Sequence, residues 1–227
     1  MLTATQFTKY TAPHPESSVL LTIDMQRDFT IAGATFQIPG TAECVGQISS
    51  LLSVFRKMQR PIVHVVRLYL PDGGNVDACR REAVEQGTAI VLPGTPGAEL
   101  VDELKPDHNI AVDADLLLHG RFQQLAPTEW VMYKPRWDAF YATGLEAHLR
   151  EHGVDTVVFC GCNFPNCPRS SIYGASMRDF RIVMVTDAVS GVYEKGLEEL
   201  GKIQVALMDT TECVDWIKSG EMGKARV

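Results

Sequence analysis

No stretch of this sequence stays apolar for long enough to span a bilayer. Residues 1–18 are mixed and polar, without the apolar core of a signal peptide. Internal repeats, low-complexity tracts and linkers are missing as well, which favours one domain over several. Positive charge is in short supply: 21 Lys and Arg face 28 Asp and Glu, a formal net charge of -7 at pH 7. That balance supplies no basic footprint for nucleic acid and no cationic face for an anionic membrane, so neither is an expected partner. Cysteine is scarce and uneven, with six in all and three crowded between Cys160 and Cys167. Without a secretion signal, free thiols in a cytoplasmic protein are expected rather than a disulfide framework.

What the sequence does hold is apolar mass. With 45% hydrophobic residues over 227 positions, the chain can bury one sizeable core, and a single domain over 1–227 with a loose arm at 1–17 is expected. Residues 18–24 read as a buried strand that stops on Asp24, and Met25 to Phe29 begin a loop. Residues 41–59 read as a helix whose stripe is Val45, Ile48, Leu51, Leu52, Phe55 and Met58. A second strand at 61–66 emerges at Arg67 and Tyr69. The Gly- and Pro-rich segment 69–97 has the character of a binding loop or lid, with a short charged helix at 76–85 carrying Arg80 and Arg81. A short helix is expected at 98–104, while 108–124 shows no clear period. Further strands are predicted at 130–133, 154–160 and 181–185, and helices at 144–152, 168–180 and 192–208. A last short strand or helix falls at 213–217. Strands alternating with helices in this way predict a Rossmann-like three-layer α/β/α sandwich with a mostly parallel central sheet.

Chemistry concentrates where the strand ending near Cys160 gives way to the helix after Cys167. Gly, Asn and Pro form the intervening turn. Pro168 suits a first helical position, so Cys167 should face the positive end of a helix dipole, which favours thiolate over thiol. Ligands of open α/β sheets sit beyond the carboxyl ends of the strands, where this loop and Asp24 both lie. A thiol hydrolase needs a nucleophile, a nearby proton acceptor and donors for an oxyanion. Cys167, Asp24 and Lys134 are candidates, yet each has a plain structural alternative: a buried small hydrophobe, an Asx turn, a solvated loop lysine. Composition and spacing alone do not select this trio.

The runs Val19-Leu20-Leu21-Thr22-Ile23-Asp24-Met25-Gln26-Arg27-Asp28-Phe29, Lys134-Pro135-Arg136-Trp137-Asp138-Ala139-Phe140 and Gly161 to Cys167, with Asp179 and Thr186-Asp187-Ala188 beyond, stand in order along the chain. Together they resemble the three motifs of the isochorismatase-like cysteine hydrolase superfamily. The resemblance implies an Asp24-Lys134-Cys167 triad and a cis peptide at Cys162–Asn163. It also implies an oxyanion hole from the Asn163 and Cys167 backbone amides, and a homo-oligomer, dimer or tetramer. The Asn163-Phe164-Pro165-Asn166-Cys167-Pro168-Arg169 form resembles a subgroup of the family, for which no particular substrate is implied.

Departures from the family pattern narrow the expectation. No Asp-x-His run follows His64; Arg67, Tyr69 and Asp72 occupy that region, so neither a metal, any other cofactor, nor nicotinamide is expected. Asp138 stands where the family usually has serine, which bears on substrate identity. A thiol at 167 argues against vinyl-ether cleavage. The reading is therefore a hydrolase of a C–N bond in a small-molecule amide, carbamoyl or ureido compound, acting through a thioester. Arg67 is the first candidate for a carboxylate clamp, with Arg80, Arg81 and Arg169 behind it. Phe29, Phe164 and Trp137 are candidate pocket walls. The alternatives are an ether or ester hydrolase with Cys167 a bystander, a non-catalytic binding protein on the same fold, and a metal site from Cys160, Cys162 and Cys167, which lacks a fourth ligand nearby.

Overall fold

Runs such as Val19-Leu20-Leu21 give a strand no polar face, so it must be covered on both sides. In the computed structural model, which describes residues 7–222, such runs form the middle of one seven-stranded sheet. Its strands are β1 (Ser18–Ile23), β2 (Ile62–Val66), β3 (Gln123–Ala126), β4 (Glu129–Tyr133), β5 (Thr156–Gly161), β6 (Arg181–Val189) and β7 (Ala206–Met208). Their order across the sheet is β3-β4-β2-β1-β5-β6-β7. All neighbouring pairs are parallel except β3 with β4.

The helices are α1 (Arg27–Thr30), α2 (Val45–Lys57), α3 (Ala78–Glu85), α4 (Ala114–Leu118), α5 (Leu145–Glu151), α6 (Cys167–Ser176), α7 (Glu194–Lys202) and α8 (Thr210–Met222). The two-residue period of the strands divides the core. Leu20, Ile62, Val158 and Val183 pack with Ile48, Leu51, Leu52 and Phe55 of α2 and with Cys213 and Ile217 of α8. Val19, Leu21, Val63, Val157 and Met184 pack on the other face with Leu149, Ile172 and Leu200 of α5, α6 and α7. The expected three-layer α/β/α sandwich is what forms.

Several local expectations give way. Segment 7–17 is not loose: Thr11 Oγ1 donates to Gln204 Oε1 (2.6 Å), His14 N to Thr156 Oγ1 (3.0 Å) and Ser17 Oγ to Asp155 Oδ1 (2.6 Å). Residues 1–6 of that arm lie outside the described residues. The helix expected at 98–104 is two 3₁₀ turns, Pro96–Ala98 and Asp102–Leu104, because Leu100 is drawn into a bridge with Gln26. The helix expected at 192–208 stops at Lys202, and β7 takes its last residues as an edge strand. A single turn of helix, α1, stands where a loop was expected. The segment 69–97 is anchored rather than open: Val76, Val84, Ile90 and Val91 are buried in the core, and Val91 N donates to Asp28 Oδ2 (2.6 Å).

Candidate active site

Strand order places the site. β1 lies between β2 and β5, so the direction in which the chain crosses the sheet reverses there, and the carboxyl ends of β1 and β5 flank a crevice. Asp24 follows β1 with φ at 52°, a left-handed backbone that L-residues avoid, while its N–H still donates to Val65 O (2.8 Å). Lys134 follows β4, with its N–H donating to Val66 O (3.0 Å). β2 intervenes between β1 and β4, and only a long stem spans that gap. The Lys134 ammonium reaches Asp24 Oδ2 at 2.9 Å, with both side chains buried. Gly161, at φ 114°, passes so near β1 that a Cβ there would stand 2.3 Å from Ile23 O. The Cys162–Asn163 peptide is cis.

Cys167 opens α6, with Pro168 behind it, and is 3% exposed. It shares a tight recess, with no measurable free volume, with Asp24, Cys162 and Asn163, walled by Phe29, Ile38 and Arg80. A larger hollow of about 520 Å³ beside Tyr10, Phe180 and Gln204 sits at the amino end of β6 and offers no thiol, so size alone does not make it the site. The surroundings oppose the expected thiolate. Burial pushes the Cys167 thiol up to about 11, the Asp24 carboxylate adds to the rise, and Lys134 and Arg67 only partly oppose it. Asp24 Oδ2 is held by Lys134, whereas Oδ1 is buried with no hydrogen-bond partner among the described residues. The N–H groups of Asn163 and Cys167 likewise have no protein acceptor among the described residues.

The other predicted side chains divide. Phe29 lines the recess. Phe164 does not; it is core, edge-on to Tyr193 (5.2 Å between centroids) and against Gly196. Trp137 is 36% exposed and Arg169 is drawn outward to Glu199 and the Tyr193 hydroxyl, so neither reaches the thiol's recess. Arg67 is wholly buried with its guanidinium on Asp77, an acid that sequence reasoning passed over. Gln26 was missed too: it accepts from Arg67 N (2.8 Å) and donates to Arg67 O (2.8 Å) and Ala98 O (2.7 Å), fastening the end of β2 to the long connection. Its only sequence signal was its place two residues after Asp24. Cys160 and Cys162 pack in one core layer and Cys167 in the other. Among the described residues no His, Cys, Asp and Glu side chains cluster in a way that could hold a metal ion, and no helix is long and apolar enough to cross a membrane.

Known proteins share this fold. The sequence model of the isochorismatase domain matches residues 18–212. A maleamate amidohydrolase of Pseudomonas putida is 30% identical over 174 residues, 75% of this chain and 70% of that protein. A protein of Arabidopsis thaliana described as a probable inactive nicotinamidase is 29% identical over 176 residues, 77% of this chain and 81% of that one. The crystal structure of an isochorismatase family protein from Desulfovibrio vulgaris superposes with a TM-score of 0.76 at 31% identity, covering 89% of this chain and 98% of the other.

Proposed function

The chain belongs to the isochorismatase family, and from that premise we propose that it hydrolyses a C–N bond of a small amide, carbamoyl or ureido compound, with Cys167 as nucleophile. One observation carries the reading: Lys134 occupies a single oxygen of Asp24 and leaves the other unpartnered in the recess that holds the thiol. A carboxylate so placed is a proton acceptor with nowhere else to accept from.

The steps follow from the residues. Cys167 rests as a neutral thiol and loses its proton to Asp24 as sulfur attacks the carbonyl carbon. The charge that passes to the carbonyl oxygen is met by the N–H groups of Asn163 and Cys167, the two amides without a protein acceptor. Asp24 then delivers the proton to the departing nitrogen, and the acyl group stays on sulfur as a thioester. Water, deprotonated by Asp24, adds to the thioester; the sulfur leaves, recovers the proton, and the acid is released. Lys134 keeps its charge throughout and fixes which Asp24 oxygen works. An amidohydrolase among the relatives supports this chemistry; the Arabidopsis relative makes the test of Cys167 the deciding one.

That test is a panel of primary amides, carbamoyl compounds and ureido acids followed by ammonia release. Turnover by the wild-type protein and a loss of at least about 10³-fold in Cys167→Ala are expected. An acyl adduct of Cys167 should be caught by mass spectrometry on rapid acid quenching. Turnover undiminished in Cys167→Ala overturns the reading.

A further inference from the structure

The charged side chains around the recess do not cancel. Asp24 is matched by Lys134 and Asp77 by Arg67. A third cation, Arg80 on α3, lines the recess directly, and among the described residues no carboxylate lies within ion-pair reach of it. Its one side-chain hydrogen bond runs from Nη1 to the Tyr69 hydroxyl (2.9 Å), a neutral partner that itself donates to Asp77 Oδ2 (2.8 Å). The rest of the fork makes no hydrogen bond to protein among the described residues. The guanidinium is held in place by aromatic faces, 4.9 Å from the Phe36 centroid and 6.0 Å from that of Phe29. Arg80 is thus fixed, half-buried, uncompensated and turned toward the thiol.

A half-buried cation without a counter-ion is costly unless something negative arrives with the ligand. The recess is small, so that charge must belong to the same compound that presents the carbonyl to sulfur. We propose that Arg80 selects the substrate, and that the compound taken is a short amido acid whose free carboxylate lies on the Arg80 fork while its amide carbon lies at Cys167. Arg67 is the poorer choice because it does not line the recess, and its Nη2 is committed to Asp77 and its Nη1 turned to Lys134 O. The proposal rests on the amide-hydrolase reading for the bond that is broken, but the recess itself can be probed without any turnover.

Iodoacetate and iodoacetamide are near-isosteres that differ by one negative charge, and each alkylates sulfur with loss of iodide. The rate at Cys167 is read by peptide mass spectrometry for both reagents, and their ratio is normalised to that of a free small thiol. In the wild-type protein the normalised ratio should favour iodoacetate by about tenfold or more, the worth of one charge-assisted hydrogen bond. Arg80→Gln should abolish the preference, and Arg80→Lys should retain a good part of it. A comparison of an amido acid with its neutral diamide, followed by ammonia release, should show the same loss of discrimination in Arg80→Gln. Equal ratios for the wild type and the free thiol, a preference that survives in Arg80→Gln, or a Cys167 refractory to both reagents would each overturn the proposal. The wild-type ratio stands without any variant, so misfolding of Arg80→Gln does not rescue a failed result. Hydrolysis that survives in Cys167→Ala sinks the amide-hydrolase mechanism and leaves the alkylation result standing, so the two failures are told apart.

Discussion

Asp24 serves the neighbouring thiol in two opposed ways. Burial disfavours an anion on Cys167 and the negative charge of Asp24 disfavours it further, which together push the thiol up to about 11. As an acceptor with one unpartnered oxygen it offers the proton a destination. Asp24→Asn separates the two. With the negative charge gone, Lys134 and Arg67 face the sulfur without opposition from that carboxylate, and the thiol's pKa should fall below its present value. Alkylation of Cys167 by iodoacetamide at pH 8 should therefore quicken in Asp24→Asn while ammonia release is lost. A variant that slows both would show the carboxylate acting on the thiol only as a base. Some of this was legible from local pattern: an acid ending a strand and a cysteine opening a helix are neighbours in sequence of the features that mark them. Lys134 carries no such local mark, since β2 separates its strand from that of Asp24, and the resemblance was what selected the three together. The reading of Arg67 as a free clamp overlooked Asp77 for a related reason. Asp77, ten residues beyond Arg67, claims it only after the connection folds back, which no periodicity records.

Among the elements, the junction of β5 with the nucleophile loop has the least tolerance. Gly161 holds φ 114° and comes against the backbone of Ile23, one residue before Asp24. No rotamer change removes a clash with a carbonyl oxygen, so Gly161→Ala must shift either β1 or the loop bearing Asn163. The expected cost is about 3 kcal/mol in denaturant unfolding, with activity falling by more than the folded fraction accounts for. Unchanged stability would show that the strands can part at no cost. The strands around this junction were readable because burial on both faces makes them unbroken apolar runs. The edge strands were not. β3 is polar, half-exposed and slips register between Gln124 and Ala126. β7 is three residues long and follows α7 so closely that its apolar residues prolong the helical pattern. The turns around Leu100 depend on a bridge to Gln26 that lies seventy-odd residues away in sequence.

At the scale of the whole molecule, a buried polar chain ties together the strands whose ends carry the site. Thr22 Oγ1 of β1 lies 2.8 Å from His64 Nδ1 of β2, and His64 Nε2 lies 2.8 Å from Glu129 Oε1 of β4. Arg56 of α2 closes the chain with two bonds to Glu129 (2.9 and 2.7 Å) and one to Leu104 O (2.7 Å). Burial alone would raise the Glu129 carboxyl; the hydrogen bonds from Arg56 and His64 overcome it and bring the group down to about 2. A carboxyl whose pKa is depressed in the folded state stabilises the fold above its unfolded value, and that contribution drains away as pH falls toward the folded one. Between about pH 4.5 and pH 2 the molecule should therefore lose roughly 3 kcal/mol through this one group. Glu129→Gln should be less stable than the wild type at pH 7 and nearly level with it at pH 2, when urea unfolding is followed across that range. An acid limb as steep in the variant as in the wild type would show that Glu129 is not among the carboxyls whose protonation opens the sheet. Loss of the network should also loosen the spacing of β1, β2 and β4, and with it the reach from Lys134 to Asp24. Hydrolysis in Glu129→Gln should accordingly decline at neutral pH before the protein unfolds.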